Sequence, residues 1–346
     1  LCDDSAVARG VVARLLAVEP RIRVTAQATD GRQAIEALAA MPAAERPDVV
    51  LLDLEMPVMD GLTALPRILR AAPGVQVIVA SALSQRGASA TMQALRAGAV
   101  DYVPKPAASQ GGMSDPRFGE ELRAKVLGWA RMRGGQRAAP AAPPPAMARP
   151  VAPRAGKPRV LAIGSSTGGP QALAALVGAL TRPPPVPVLV VQHMPAGFTA
   201  LLADHLDRLG KLRCAEAKDG EVLKPGRLYL APGDRHLLAK DTPDGLAVHL
   251  SDGPAENFCR PAVDPLLRSL VAACGGRVAA AILTGMGQDG LVGCRAVSAA
   301  GGAVLAQDEA SSVVWGMPGA VAKAGLASLL APPEEIAARL LAAVEG

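Results

Sequence analysis

The chain of 346 residues reads as an α/β protein of two domains, each built on a mainly parallel sheet. Three observations predict this. Apolar strand-like runs alternate with amphipathic helical runs on both sides of one proline-rich segment. The length exceeds what a single core ordinarily supports. The chemistry-bearing residues fall where strand-like runs end, the edge at which open α/β sheets place their sites.

Upstream, strands are expected at about Leu1–Asp3, Arg23–Gln27, Val49–Asp53, Val75–Ala80 and Val100–Val103, giving a five-stranded doubly wound sheet over residues 1–133. The chain opens without Met, inside its first strand, so a clipped N-terminus is expected. Residues 134–158 hold seven prolines, five of them within 140–150, interleaved with Ala, Gly and basic residues. That composition cannot bury enough apolar surface to fold and favours extended polyproline conformations, so it reads as a linker. Over 159–346, strands are expected at about Val160–Ile163, Val186–Gln192, Arg227–Ala231, Arg277–Leu283 and Ala303–Ala306. A helix follows the first of these at Gln171–Leu180, and a hairpin spans His236–Leu250, turning at Pro243-Asp244-Gly245.

Composition excludes several classes. No apolar run reaches the ~18 residues a membrane helix needs, so no membrane insertion is expected. The N-terminus has neither the basic nor the apolar region of a secretory signal, which points to the cytoplasm. Five cysteines, odd in number and never spaced C-x-x-C, read as reduced thiols and not as disulfides or a zinc site. The net charge of +5 is concentrated: Arg117 to Arg159 carries ten Lys/Arg against two Asp/Glu, and the remainder is acidic. With three Phe, two Tyr and two Trp, few rings could stack on bases, so no nucleic-acid partner is expected.

In the upstream half, Asp3 and Asp4 close the first expected strand, Asp53 closes Val-Val-Leu-Leu-Asp, and Lys105 follows the last strand in Asp-Tyr-Val-Pro-Lys-Pro. Clustered carboxylates repel unless a hard cation neutralises them, and Mg²⁺ suits a carboxylate pair plus a phosphate. A lysine can then hold a phosphoryl oxygen, and Ser81 can donate its hydroxyl to the same group. With Leu-Leu-Asp-Leu-Glu-Met-Pro-Val-Met-Asp-Gly around Asp53, the segment resembles a response-regulator receiver domain. The resemblance implies that Asp53 accepts phosphate, that Asp3, Asp4, Asp53 and the backbone of Glu55 hold Mg²⁺, and that Ser81 and Lys105 read the phosphate. Ala82, after Ser81, is a departure from the family's pattern beside a region where such domains switch, and it carries no functional weight here.

In the downstream half, Leu161 to Pro170 reads Leu-Ala-Ile-Gly-Ser-Ser-Thr-Gly-Gly-Pro, an apolar strand running into a Gly-rich turn ahead of a helix. Ser166 there satisfies G-x-S-x-G, although such a turn can equally cradle a phosphate. A serine needs a base. Of the four histidines, His193 is best placed, at the end of a buried-looking strand on the same sheet edge. His205 reads as a helix-face residue, and His236 and His249 flank the hairpin. Asp289, in Leu-Thr-Gly-Met-Gly-Gln-Asp-Gly, can orient that imidazole or cap the next helix. The chain order Ser, His, Asp is not that of α/β-hydrolases. That order, with Gln-His-Met-Pro-Ala-Gly-Phe, Tyr229-Leu-Ala-Pro-Gly-Asp, Ser251-Asp-Gly-Pro, Arg260-Pro-Ala-Val-Asp and Gly316-Met-Pro, resembles the chemotaxis protein-glutamate methylesterases, the CheB family. Ser165 stands where alanine is usual and Ala262 where serine is usual.

The resemblance implies a catalytic triad of Ser166, His193 and Asp289, with oxyanion donors near Thr167 and Met286 and no cofactor for the esterase. It implies hydrolysis of glutamate γ-methyl esters on methyl-accepting chemotaxis receptors, releasing methanol, and deamidation of certain receptor glutamines. It further implies a chemotaxis histidine kinase as phosphodonor, and a receiver that covers the esterase site until phosphorylated. Open alternatives are a non-enzymatic regulator, a phosphosugar-binding domain, and an esterase of another chemosensory pathway.

Overall fold

The structure, a computed structural model, describes residues 1–105, 115–135 and 156–345. Most of the proline-rich segment therefore lies outside the described residues. The chain divides into two compact units, Leu1–Pro140 and Ala141–Gly346.

In the first unit the order is α1 (Ala6–Ala17), α2 (Gly31–Ala40), β1 (Val49–Asp53), α3 (Gly61–Ala71), β2 (Gln76–Ala82), α4 (Gln85–Arg96), β3 (Asp101–Lys105) and α5 (Pro116–Gly135). The strands β1, β2 and β3 pair in that order, all parallel, with Asp53 opposite Ala80 and Ala82 opposite Lys105. Cys2 extends the sheet through single parallel bridges to Leu52 on one side and Ala28 on the other. Three of the five expected upstream strands form the ladder. Arg23–Gln27 is no strand, since the bridge falls one residue past it at Ala28, and Leu1–Asp3 pairs only through these bridges. Their hydrogen bonds reach just from Leu1 to Asp3, a span too short for a ladder. Helix starts follow local chemistry: Ser5, Asp30, Asp60 and Ser84 each accept a bond from a first-turn N–H of the following helix.

The second unit contains β4 (Val160–Ser165), α6 (Gly169–Ala179), β5 (Val188–Gln192), α7 (Phe198–Asp207), β6 (Arg213–Glu216), β7 (Arg227–Leu230), β8 (His236–Thr242) and β9 (Gly245–Ser251). It continues through α8 (Val263–Cys274), β10 (Val278–Ile282), α9 (Leu291–Ala299), β11 (Ala303–Gln307), α10 (Met317–Lys323), β12 (Leu329–Ala331) and α11 (Pro333–Glu345). Seven strands form one sheet in the order β12-β11-β10-β4-β5-β7-β6, every pair parallel. Every residue of β4, β5, β10 and β11 is buried, as expected for a sheet covered on both faces. The expected hairpin is β8–β9, with Gly245 in the left-handed region closing its turn. Two strands escape the sequence reading, β6 and β12. Both are short, and they form the two edges of the sheet.

Strand β4 lies between β10 and β5. The chain leaves β4 toward β5 on one side and leaves β10 toward β11 on the other. That reversal opens a crevice at the C-terminal ends of β4 and β10.

Candidate active site

Ser166 stands one residue past the end of β4, in that crevice. Its N–H donates to the Thr284 carbonyl just beyond β10, at 3.0 Å. On the other side the His193 N–H donates to the Ser165 carbonyl at 3.0 Å, carrying the β4–β5 ladder one step further and bringing His193 alongside. Gln192 locks the junction. Its Oε1 accepts from Ser165 Oγ at 2.7 Å, and its Nε2 donates to the carbonyls of Ser166 at 2.9 Å and His193 at 3.3 Å. Ser165 is wholly buried by this contact, whereas Ser166 is half-exposed. Glycine is required at 169 because a Cβ there would lie 1.8 Å from Gln192 Oε1. At Gly285 a Cβ would lie 2.8 Å from Ser166 Cβ, so the loop after β10 packs directly on the serine.

The imidazole of His193 meets Asp289 through Nε2, 2.8 Å from Oδ2. A carboxylate only accepts, so Nε2 carries the proton and Nδ1 keeps a lone pair in the neutral ring. Nδ1 lies 3.4 Å from Cys259 Sγ. Asp289 is almost completely buried, yet well satisfied: it accepts from the N–H groups of Val263, Asp264 and Gly290 at 2.6, 3.1 and 2.9 Å, and from Asn257 Nδ2 at 3.0 Å. Burial alone would raise its carboxyl pKa, but His193 and then the backbone donors hold it below the ordinary value. Burial would likewise lower His193; the bond to Asp289, helped by Cys259, overrides this and holds the imidazole above its ordinary value.

Ser166 Oγ makes no hydrogen bond among the described residues, and neither do the N–H groups of Thr167 and Met286. These are the donors the sequence reading assigns to an oxyanion. Of the other histidines, His236 is buried with its ring fixed between the Pro254 carbonyl and the Ala262 N–H. His249 pairs with Asp219 at 3.6 Å on the hairpin. The sequence reading missed Gln192, Asn257 and Cys259. Gln192 stands in the quoted Gln-His-Met-Pro word, next to His193, whereas Asn257 and Cys259 lie in Glu-Asn-Phe-Cys ahead of α8, which carries no periodicity.

In the first unit the structure brings Asp3, Asp4 and Asp53 together, with ligand oxygens within 4.8 Å of one another. Lys105 Nζ lies 2.9 Å from Asp3 Oδ2 and 2.6 Å from Asp53 Oδ2. Burial lifts the Asp53 carboxyl above its ordinary value against the opposing pull of Lys105. The Glu55 N–H donates to Asp53 Oδ1 at 3.3 Å. Ser81 sits one residue before the end of β2, beside the β1 terminus; its Oγ lies 3.4 Å from the Ala82 carbonyl and makes no hydrogen bond to Asp53 or Lys105. A donor set made only of carboxylate oxygens, with one amine beside it, fits a hard divalent cation and an incoming phosphoryl group.

The fold and these two clusters define a class: an acidic, lysine-bearing pocket on one α/β unit, joined to a serine–histidine–aspartate site on another. Residues 161–340 match the CheB methylesterase family and residues 1–113 match the response regulator receiver domain. The chain belongs to the CheB methylesterase family. It is 49% identical to the protein-glutamate methylesterase/protein-glutamine glutaminase of group 2 operon of Rhodospirillum centenum, over 96% of this chain and 90% of that one. It is 51% identical to the protein-glutamate methylesterase/protein-glutamine glutaminase of Azospirillum brasilense, over 96% and 89%. Among solved structures, the CheB methylesterase catalytic domain of Thermotoga maritima matches at 42% identity and a TM-score of 0.52, covering 54% of this chain and 98% of that one.

Proposed function

We propose that this chain is a phosphorylation-switched esterase. It hydrolyses glutamate γ-methyl esters on methyl-accepting chemotaxis receptors in the cytoplasm, releasing methanol, and deamidates receptor glutamines by the same chemistry. The observation that carries the reading is the His193–Asp289 pair, on loops whose backbones bond to Ser165 and flank Ser166, in a chain about half identical to proteins of that name.

Neutral His193, its Nε2 proton held by Asp289, takes the Ser166 hydroxyl proton at Nδ1 as Oγ attacks the ester carbonyl carbon. The carbonyl oxygen becomes an oxyanion facing the free N–H groups of Thr167 and Met286. The imidazolium returns its proton to the methoxy oxygen, the C–O bond breaks, and methanol leaves an acyl-serine. Water, deprotonated by the same imidazole, attacks that ester and frees glutamate and Ser166. With a glutamine, ammonia is the leaving group in the first half.

In the receiver, Asp53 accepts phosphate from a chemotaxis histidine kinase. The oxygens of Asp3, Asp4, Asp53 and the Glu55 carbonyl would hold Mg²⁺, which supplies charge neutralisation there when bound. Lys105 pairs with a phosphoryl oxygen and Ser81 donates to another. An aspartyl phosphate places about two negative charges at one point, enough to bias a two-state surface.

The test is methanol release from methylated receptor membranes by the full chain, with and without a small-molecule phosphodonor and Mg²⁺. Release that rises with phosphodonor is expected. A folded, phosphorylated chain that releases none from any receptor preparation would falsify the esterase reading.

A further inference from the structure

The triad reading leaves one local structure unused. Between β9 and α8 the chain makes a two-residue turn, in which the Glu256 N–H donates to the Cys259 carbonyl at 3.1 Å and the Cys259 N–H to the Glu256 carbonyl at 2.9 Å. Both central residues, Asn257 and Phe258, have left-handed φ values, 51° and 62°. Asparagine tolerates that region better than most residues. The turn is tied to α8 by Arg268, whose guanidinium lies 3.0 and 2.5 Å from the Glu256 carboxylate oxygens. His236 fixes the flanking residues through Pro254 and Ala262.

The turn delivers a single amide to two buried carboxylates. Asn257 Nδ2 lies 3.0 Å from Asp289 Oδ1 and 3.1 Å from Asp264 Oδ2. Each of these aspartates is about 2% exposed. They are neighbours as well, since the Asp264 N–H donates to Asp289 Oδ1. Two carboxylates so placed repel, and a donor shared between them offsets that repulsion while fixing how each is turned. The other Asp289 oxygen is the one that holds His193.

We propose that Asn257 is a positioning residue for the esterase: its amide bridges Asp264 and Asp289 and so sets the orientation and charge that Asp289 presents to His193. The proposal rests on the esterase reading for its catalytic consequence. Its electrostatic consequence concerns the imidazole alone. The charged and titratable groups around the pair are Asp264 and Arg268 from α8, Glu256 and Cys259 from the turn, the buried Cys294 from α9, and Asp289 itself.

A third carboxylate at 257 adds negative charge near the imidazole and favours its protonated form. Loss of the amide also leaves Asp289 with one donor fewer, making it the stronger acceptor for protonated His193. Both changes raise the His193 pKa, the first more than the second. Asn257→Asp is nearly isosteric, and Asn257→Gly removes the side chain without strain at a left-handed φ; both preserve the turn.

The experiment is an NMR titration of the His193 ring in the full chain, assigned with His193→Gln, for wild type, Asn257→Asp and Asn257→Gly. It is paired with pH profiles of kcat and KM for methanol release. The expected result is a midpoint that moves up, more in the Asp variant than in the Gly variant. A kcat lower by about tenfold or more at neutral pH, with KM little changed, should accompany it. Midpoints equal to wild type in both variants would overturn the proposal, whether or not methanol is released. A wild-type chain that releases no methanol while the midpoints shift would overturn the esterase reading and leave the bridge standing.

Discussion

Side chains alternate across a strand, and at the end of β4 that alternation separates two neighbouring hydroxyls. Ser165 is buried and bonded to Gln192, while Ser166 is half-exposed and unbonded among the described residues. Their alanine variants should therefore fail differently. Ser166→Ala is expected to abolish methanol release and leave thermal unfolding near wild type. Ser165→Ala should keep the nucleophile but strand the buried Gln192 oxygen, at a cost of about 1–3 kcal/mol in urea or thermal unfolding. The reverse pattern would move the nucleophile to Ser165. At Asp289 the pH dependence carries the information. Asp289 holds His193 above its ordinary pKa, and the base acts only when neutral, so activity rises with pH through that value. Asp289→Asn removes the charge, so this rise should move to lower pH. Its kcat should fall by on the order of 10⁴, the loss that a wrong imidazole tautomer causes in a serine triad. A rise that stays in place assigns it to another group.

At the scale of elements, the site is assembled by backbone more than by side chains. The loops after β4, β5 and β10 are held together by the Ser166, His193 and Thr284 backbone bonds, and Thr284 Oγ1 adds a bond to the Thr167 carbonyl at 2.9 Å. Gly285 is where two of these loops touch. Gly285→Ala would set its methyl against Ser166 Cβ and Met317 Sδ. It is expected to cost about 1–3 kcal/mol of stability and to depress kcat more than KM, because the serine itself is displaced. Unchanged kinetics would show that the loops separate readily. These loops were legible in the sequence because each follows an apolar, fully buried strand, two of them in a Gly-rich word and the third in Gln-His-Met-Pro, and that contrast marks both the strand and its end. The short edge strands β6 and β12 were not legible, since four and three residues carry too little pattern. Nor was the Glu256–Cys259 turn, whose importance lies in contacts with residues far along the chain. The first upstream strand was visible as an apolar start ending in two aspartates, although its pairing amounts to single bridges.

At the scale of the molecule, two clusters of side chains lie on separate compact units, one acidic with a lysine and one built on serine, histidine and aspartate. If the first governs the second, Asp53→Asn should retain basal methanol release and lose its rise with phosphodonor. Activation that survives would place the phosphoacceptor elsewhere. Asp289 has a further consequence at this scale. It accepts the first two N–H groups of α8, where Ala262 offers no side-chain cap, so it also anchors a helix. Alleles at the two chemical positions should then behave differently in a cell. On the proposed phosphorelay, a Ser166 null is an intact polypeptide that should still accept phosphate at Asp53 and compete with the normal copy, a dominant trait. An Asp289 truncation to alanine loosens α8 and exposes the chain to proteolysis, so its inheritance should be recessive.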